Sequence, residues 1–134
     1  MNSIDFELQK VKATFSHSDY AEDHLQIKVF YLDRWIKIPM EKIVRLEGDC
    51  NYTYIYTQNR EYLAARTLKD FEKMFGEELF LRIHKSHLVN MMFVKGVEVA
   101  KNAGEIKIEG GRHIGVSRRR LKEVINKLAY FHSA

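Results

Sequence analysis

Apolar residues recur along this chain with two different periods, and the change of period divides it. Near the start, Ile4, Leu8, Val11 and Phe15 stand at i, i+4, i+7 and i+11, a spacing that lines one face of a helix. The polar run "HSDYAEDH" that follows reads as a linker. Residues 1–25 are therefore expected to be an amphipathic helix and linker, an appendage to one domain over residues 26–134.

From residue 26 the period drops to two. Ile27, Val29 and Tyr31 alternate, a turn is expected near Asp33-Arg34, and a second run from Trp35 to Ile38 completes a hairpin. Pro39 has no N–H to give a ladder, so it ends that strand or lies at a sheet edge. "KIVRLEGD" is a short strand stopped at Gly48-Asp49, and "YTYIYT" is a run of aromatic and β-branched residues, the strongest strand signal in the chain. A turn at residues 58–60 leads into the strand "EYLAART". "LKDFEKMFG" then sets Leu68, Phe71, Met74 and Phe75 on one helical face, with Gly76 as its stop. "LFLRIHKSHLVNMMFVKGVEV" has apolar ends and a polar centre at residues 84–87. "NAGEIKIEGGRHIGV" closes the strand region as a hairpin, with Gly104 in one turn and Gly110-Gly111 in another. The pattern predicts a mainly β domain with one short helix mid-chain and a helix at its C-terminal end.

That last helix has an odd start. Ser117 is a good N-cap residue, and Leu121, Val124, Ile125 and Leu128 follow at helical spacing, so the helix is expected to begin near Arg118. Its first turn then carries Arg118, Arg119 and Arg120, where the positive end of the helix dipole favours acidic residues instead. An anionic partner would reverse that preference.

Charge distribution strengthens this hint. The net charge is +4, but residues 1–81 sum to −3 and residues 82–134 to +7. A basic surface confined to one part of a domain suits phosphate neutralisation, although it also describes a solvated basic face. A hydrophobic share of 46%, a charged share of 30% and a single proline indicate a globular chain. No apolar run approaches the ~20 residues that span a bilayer, and the start lacks a secretory pattern, so a cytoplasmic location without membrane contact is expected. Cys50 is the only cysteine, which excludes an internal disulfide and reads as a small buried or half-buried residue.

Enzyme chemistry finds little support. There is no G-x-G-x-x-G or Walker loop, and no alternation of strand with long helix. His84 and His87 are the closest histidine pair, but no third ligand stands nearby at zinc spacing, so no metal and no cofactor are expected. Glu47 with Asp49 is the only compact acidic pair outside charge-mixed helices, and a solvated loop explains it equally well. Nucleic acid is the stronger reading. The insert "RIHKSH" brings His84, Lys85 and Ser86 to a strand-to-loop junction, Asn51-Tyr52 follow a Gly-Asp turn, and the arginines offer forked donors to phosphates or a guanine edge.

Taken together, "IVRLEGDCNYTYIYT", "ARTLKDFEKMF", "FLRIHKSHLVNMMFV" and "IGVSRRRLKEVINKL", in this order and spacing, resemble the LytTR family of bacterial DNA-binding domains. The resemblance spans residues 41–128, within a LytTR-like domain at 26–134. It implies a mainly β fold of stacked antiparallel sheets with short helices. It also implies the output role of a response regulator in two-component control of transcription, with loops inserted into successive major grooves of duplex DNA at direct repeats. Carried over residue by residue, it implies base contacts from Asn51, Tyr52, Thr53, Lys85 and Arg119. Backbone contacts are implied for Arg66, His84, Ser86 and Ser117, and for Arg118, Arg120 and Lys122. His84 has a second reading as a hydrogen-bonded core histidine; Arg82 and Asn90 read as structural. The partners implied are double-stranded DNA with a direct-repeat operator and a second copy of the chain on that DNA. The 25 residues ahead of the domain are too few for a receiver domain, so the chain is either a stand-alone regulator or an excised output domain that works with a receiver or other partner. Two rivals remain at this point: an RNA- or single-strand-binding module using the aromatics of "YTYIYT", and a small metalloenzyme using His84 and His87.

Overall fold

A computed structural model describes residues 2–5, 26–101 and 103–133. Its strands are β1 (Asn2–Asp5), β2 (Gln26–Tyr31), β3 (Arg34–Pro39), β4 (Ile43–Asp49), β5 (Tyr52–Thr57) and β6 (Glu61–Ala64), then β7 (Phe80–His84), β8 (His87–Asn90), β9 (Val94–Ala100), β10 (Ala103–Ile108) and β11 (His113–Val116). Among the described residues two α-helices accompany them, α1 (Leu68–Phe75) and α2 (Leu121–Ser133). The strands form three antiparallel sheets, ordered β1-β9-β10-β11, β2-β3 and β6-β5-β4-β8-β7.

The five-stranded sheet is the middle layer. Leu46, Ile55, Phe80 and Leu88 join the β2–β3 hairpin and α1 in one core, with Ile27, Val29, Leu68 and Phe71. Val44, Leu81, Ile83 and Val89 meet the β9–β11 sheet and α2 in the other, with Val97, Ile106, Val124 and Leu128. Period-two strands with both faces covered read as near-continuous apolar runs, which is why β7 and β8 carry little polar alternation. The fold is thus mainly β with stacked antiparallel sheets, a short mid-chain helix and a C-terminal helix, as the sequence pattern predicts.

Local chemistry explains most boundaries. The Thr67 hydroxyl accepts from the Asp70 N–H at 3.2 Å and caps α1, and Gly76 ends it at φ 71°; such a cap contributes about 1 kcal/mol. Pro39 is the last residue of β3. The hairpin turn is formed by Leu32 and Asp33, both at positive φ (50° and 65°), one position earlier than expected. That geometry is the two-residue turn whose twist matches the flanking strands.

Several expectations are corrected. Gly104 lies inside β10 opposite Val116, not in a turn; a Cβ there would come within 2.4 Å of Leu121 Cδ1, so the glycine marks a close approach of α2 to the sheet. The reversal comes earlier, at Lys101 with φ 58°. Cys50 is exposed in the β4–β5 turn at φ 56°, not buried. The helix expected from Ile4 does not begin there, because Asn2–Asp5 pair with β9 as a strand; Leu8, Val11 and Phe15 lie outside the described residues. The C-terminal helix starts with a 3-10 turn over Arg118–Arg120 and becomes α-helical only at Leu121.

Candidate nucleic-acid interface

Three turns far apart in sequence are joined through the end of β7. The β4–β5 turn closes at the Asp49–Tyr52 pair and exposes Cys50 and Asn51. Just before it, the Gly48 N–H donates to the Ser86 carbonyl at 2.9 Å. The β7–β8 turn closes at the His84–His87 pair and presents Lys85 and Ser86. On its other side the Ser117 N–H donates to the Ile83 carbonyl, also at 2.9 Å, and sets the arginine turn beside it. Asn51, Lys85, Arg118 and Arg119 are all exposed.

The middle turn is clamped by one side chain. Arg82 Nε donates to the His84 carbonyl at 2.8 Å, Nη2 to the Lys85 carbonyl, and Nη1 to Glu72 Oε1 of α1 at 2.7 Å. A guanidinium fork spends its donors on two turn carbonyls and one carboxylate, so the backbone under Lys85 is held while the Lys85 ammonium stays in solvent. The Ser86 N–H donates to His84 Nδ1 at 3.1 Å. Nδ1 is thus the accepting atom of this bond, and Nε2 is the ring nitrogen left to face a partner. His84 is half-buried and bonded within its own turn, so it is not a core histidine.

The arginine turn is held differently. Its internal bonds run from the Arg120 N–H to the Ser117 carbonyl at 3.0 Å and from the Leu121 N–H to the Arg118 carbonyl. Ser117 has the extended backbone of a cap residue, but its side chain caps nothing and its hydroxyl is buried without a partner. This corrects the expected side-chain cap and removes the hydroxyl from reach of a phosphate. Among the described residues, no carboxylate pairs with Arg118, Arg119 or Arg120, and Lys122 is exposed on the following turn. Three guanidiniums therefore sit uncompensated at the positive end of α2.

The remaining site residues divide. Thr53 is fully buried and its hydroxyl donates to the Arg66 carbonyl at 2.7 Å, which places it in the core and not among base contacts. Tyr52 is half-exposed and shares an open groove with Arg66, Phe30 and Trp35. Arg66 is exposed and approaches Met74 Sδ at 3.0 Å. Tyr54 and Tyr56 are half-buried, and the buried Arg45 guanidinium lies 3.8 Å from the Tyr56 ring centre, which covers one face of that ring. His87 faces His84 with ring centres 5.3 Å apart. Burial pushes the His87 pKa below the ordinary 6.5; Glu47 opposes the shift, while His84, Arg45 and Arg112 add to it. Arg112, which follows the Gly110-Gly111 turn, is the cation that sequence reasoning missed; a glycine pair followed by arginine was its only signal. Asn90 is structural, bridging the Ile43 carbonyl and the Met92 N–H. Among the described residues, no helix is long and apolar enough to cross a membrane.

The family model described as the LytTr DNA-binding domain matches residues 33–129. Two heme-containing CO-sensing transcriptional regulators of Paraburkholderia xenovorans (strain LB400), RcoM 2 and RcoM 1, are 37% and 36% identical over 76 residues, 57% of this chain. The chain spans 28% of the length of each. The solved LytTr DNA-binding domain of a Bacillus cereus protein superposes with a TM-score of 0.69 at 22% identity, covering 77% of this chain and 95% of that one, and so shares the fold. The chain belongs to the LytTR family of DNA-binding domains.

Proposed function

We propose that this chain reads duplex DNA in a sequence-specific manner as the DNA-binding part of a transcriptional regulator. The observation that carries the reading is the joining of three exposed turns, two of them basic, through backbone bonds to Ser86 in the β7–β8 turn and to Ile83 near the end of β7. Lys85 and Arg119 are the principal base readers, with Asn51 and Tyr52 beside them. Arg66, Arg118, Arg120 and Lys122 hold phosphates, together with Ser86 and the His84 Nε2–H; such contacts fix register without reading sequence. The turns enter successive major grooves, and two copies occupy direct-repeat half-sites. The similarity to two transcriptional regulators supports the regulatory role.

Selection of bound duplexes from a random pool should return pairs of spaced, same-direction half-sites. On such a site Arg119→Ala should cost about 1–3 kcal/mol of affinity and less on random DNA, whereas Arg120→Ala should weaken both alike. Equal losses on both DNAs for both variants would refute the division into base and phosphate contacts. Binding that stays flat between low and moderate salt would refute the DNA reading itself, because neutralised phosphates release counterions.

A further inference from the structure

Away from the three turns, the outer face of the β9–β11 sheet gathers a second set of chemical groups. Glu98 on β9 stands directly opposite Glu105 on β10, and Lys107 on β10 opposite His113 on β11. Like charges placed directly across an antiparallel pair destabilise it. Both carboxylates turn toward one imidazole nitrogen: His113 Nδ1 is 2.9 Å from Glu105 Oε1 and 3.9 Å from Glu98 Oε2. A single proton on Nδ1 can bond only one of them. Lys107 Nζ stands off Glu98 Oε1 at 3.8 Å.

We infer that Glu98, Glu105 and His113 form a binding site for a first-row divalent transition-metal ion such as Zn²⁺. Among the described residues this is the one group of three potential ligands whose donor atoms, one from each residue, all lie within 4.8 Å of one another. A point central to such a triangle is about 2.8 Å or less from every corner, against roughly 2.0–2.2 Å for zinc–nitrogen and zinc–oxygen bonds, so rotamer adjustments close the shell. One imidazole with two carboxylates favours zinc and its neighbours over magnesium or calcium, which take oxygen alone. The ligands come from three adjacent hydrogen-bonded strands, so the sheet sets their spacing before any ion arrives. Room for the remaining water ligands is also present. Gly115 is the cross-strand partner of Glu105, and a Cβ built there meets nothing within 4 Å. The spacing along the chain conceals the set, since the three ligands are brought together only by sheet register. An ion there would strap β11, the strand that leads into Ser117 and the arginine turn, to the two strands beside it.

Titration of the full chain with zinc chloride, by calorimetry in the presence of excess magnesium, tests the site. One saturable zinc site per chain is expected, together with a rise in the thermal midpoint on saturation. His113→Gln and Glu105→Gln should each weaken that site by at least about tenfold, as loss of even an outer-shell partner can, and each should reduce the midpoint rise at a fixed zinc concentration. His87→Gln, at the other histidine cluster, should leave both readouts unchanged. The midpoints without zinc show whether each variant is folded, and the two variants fail independently. Absence of saturable zinc binding, or zinc binding of undiminished strength in both His113→Gln and Glu105→Gln, would overturn the proposal and leave a surface ion-pair network in its place.

Discussion

The two basic turns that meet at the end of β7 are built by opposite means. The 84–86 turn is fastened by a side chain, because Arg82 reaches two of its carbonyls and anchors on Glu72. The 117–120 turn is fastened without a side-chain hydrogen bond, by the Ser117 N–H on Ile83 and by the packing of Val124 and Leu128 behind it. In the first turn, shape and stability depend on one another. In the second, the guanidiniums make no ion pair among the described residues, so they can be changed without disturbing what holds them. A surface built this way has one turn whose geometry is guarded and one whose chemistry is free to vary.

The sharpest break of that contrast is Arg82→Ala. It removes a charge-assisted bond to Glu72 and two donors from turn carbonyls, with a stability loss of about 2–3 kcal/mol at the part-buried site. Affinity for the cognate duplex should fall about tenfold or more, because Lys85 loses its platform. Arg119→Ala should change stability by less than about 0.5 kcal/mol. Thermal unfolding of both variants beside a DNA titration checks the pair. A normal midpoint for Arg82→Ala with binding lost would mean that Arg82 touches DNA itself, and the contrast would fail.

Gly104→Ala probes the support of the second turn. The added Cβ meets Leu121 Cδ1 at 2.4 Å, so α2 must be pushed at its first residue or the leucine must swing aside. Because a terminal methyl can move, the loss should be about 1 kcal/mol, at the low end for overpacking. Gly115→Ala, whose Cβ meets nothing, should differ little from the parent. Equal effects in a denaturant titration would show that α2 does not press on β10.

How far the sequence revealed this arrangement depends on whether the cause was local. The β5 strand, α1 with its Gly76 stop and the apolar face of α2 follow from residues within one element, and all three are legible. The Asn51, Lys85 and Arg119 neighbourhoods are legible too, because turns expose whatever polar residues they hold. What escapes the sequence is set by contacts between distant segments. Gly104 looks like a turn residue until α2 is laid against it. Thr53 sits in "YTYIYT", where alternation alone does not say which face is covered; the β6–α1 connection hides it through the Arg66 carbonyl. The clamp by Arg82 needs Glu72, ten residues earlier and on another element.

A pH series distinguishes the guarded turn from its surroundings by a smaller effect. Burial lowers the His87 pKa below 6.5, and His87 Nδ1 is buried without a hydrogen-bond partner, 3.9 Å from Glu47. Above pH 6.5 the ring is neutral in both folded and unfolded chains and its stabilising contribution is complete. As pH falls below 6.5 the unfolded chain takes up the proton first, so stability declines until the folded-state pKa is passed. The midpoint should therefore drop as pH falls below 6.5 by more in the parent than in His87→Gln. Parallel curves would show that His87 is not the group responsible.

The smallest effect decides whether the second turn is held without a side-chain hydrogen bond. A Ser that caps a helix through its side chain loses about 0.5–2 kcal/mol on truncation. The Ser117 hydroxyl makes no such bond and is buried without a partner, so Ser117→Ala removes a desolvated group that gains nothing from folding. Stability should stay within about 0.5 kcal/mol of the parent or rise slightly, and DNA affinity should be unchanged, since the Ser117 N–H on Ile83 survives the substitution. A loss of 1 kcal/mol or more, about what a true cap contributes, would mean that the hydroxyl does latch the arginine turn. Both turns would then be side-chain-fastened, and the freedom of Arg118 and Arg119 to vary without structural penalty would have to be given up.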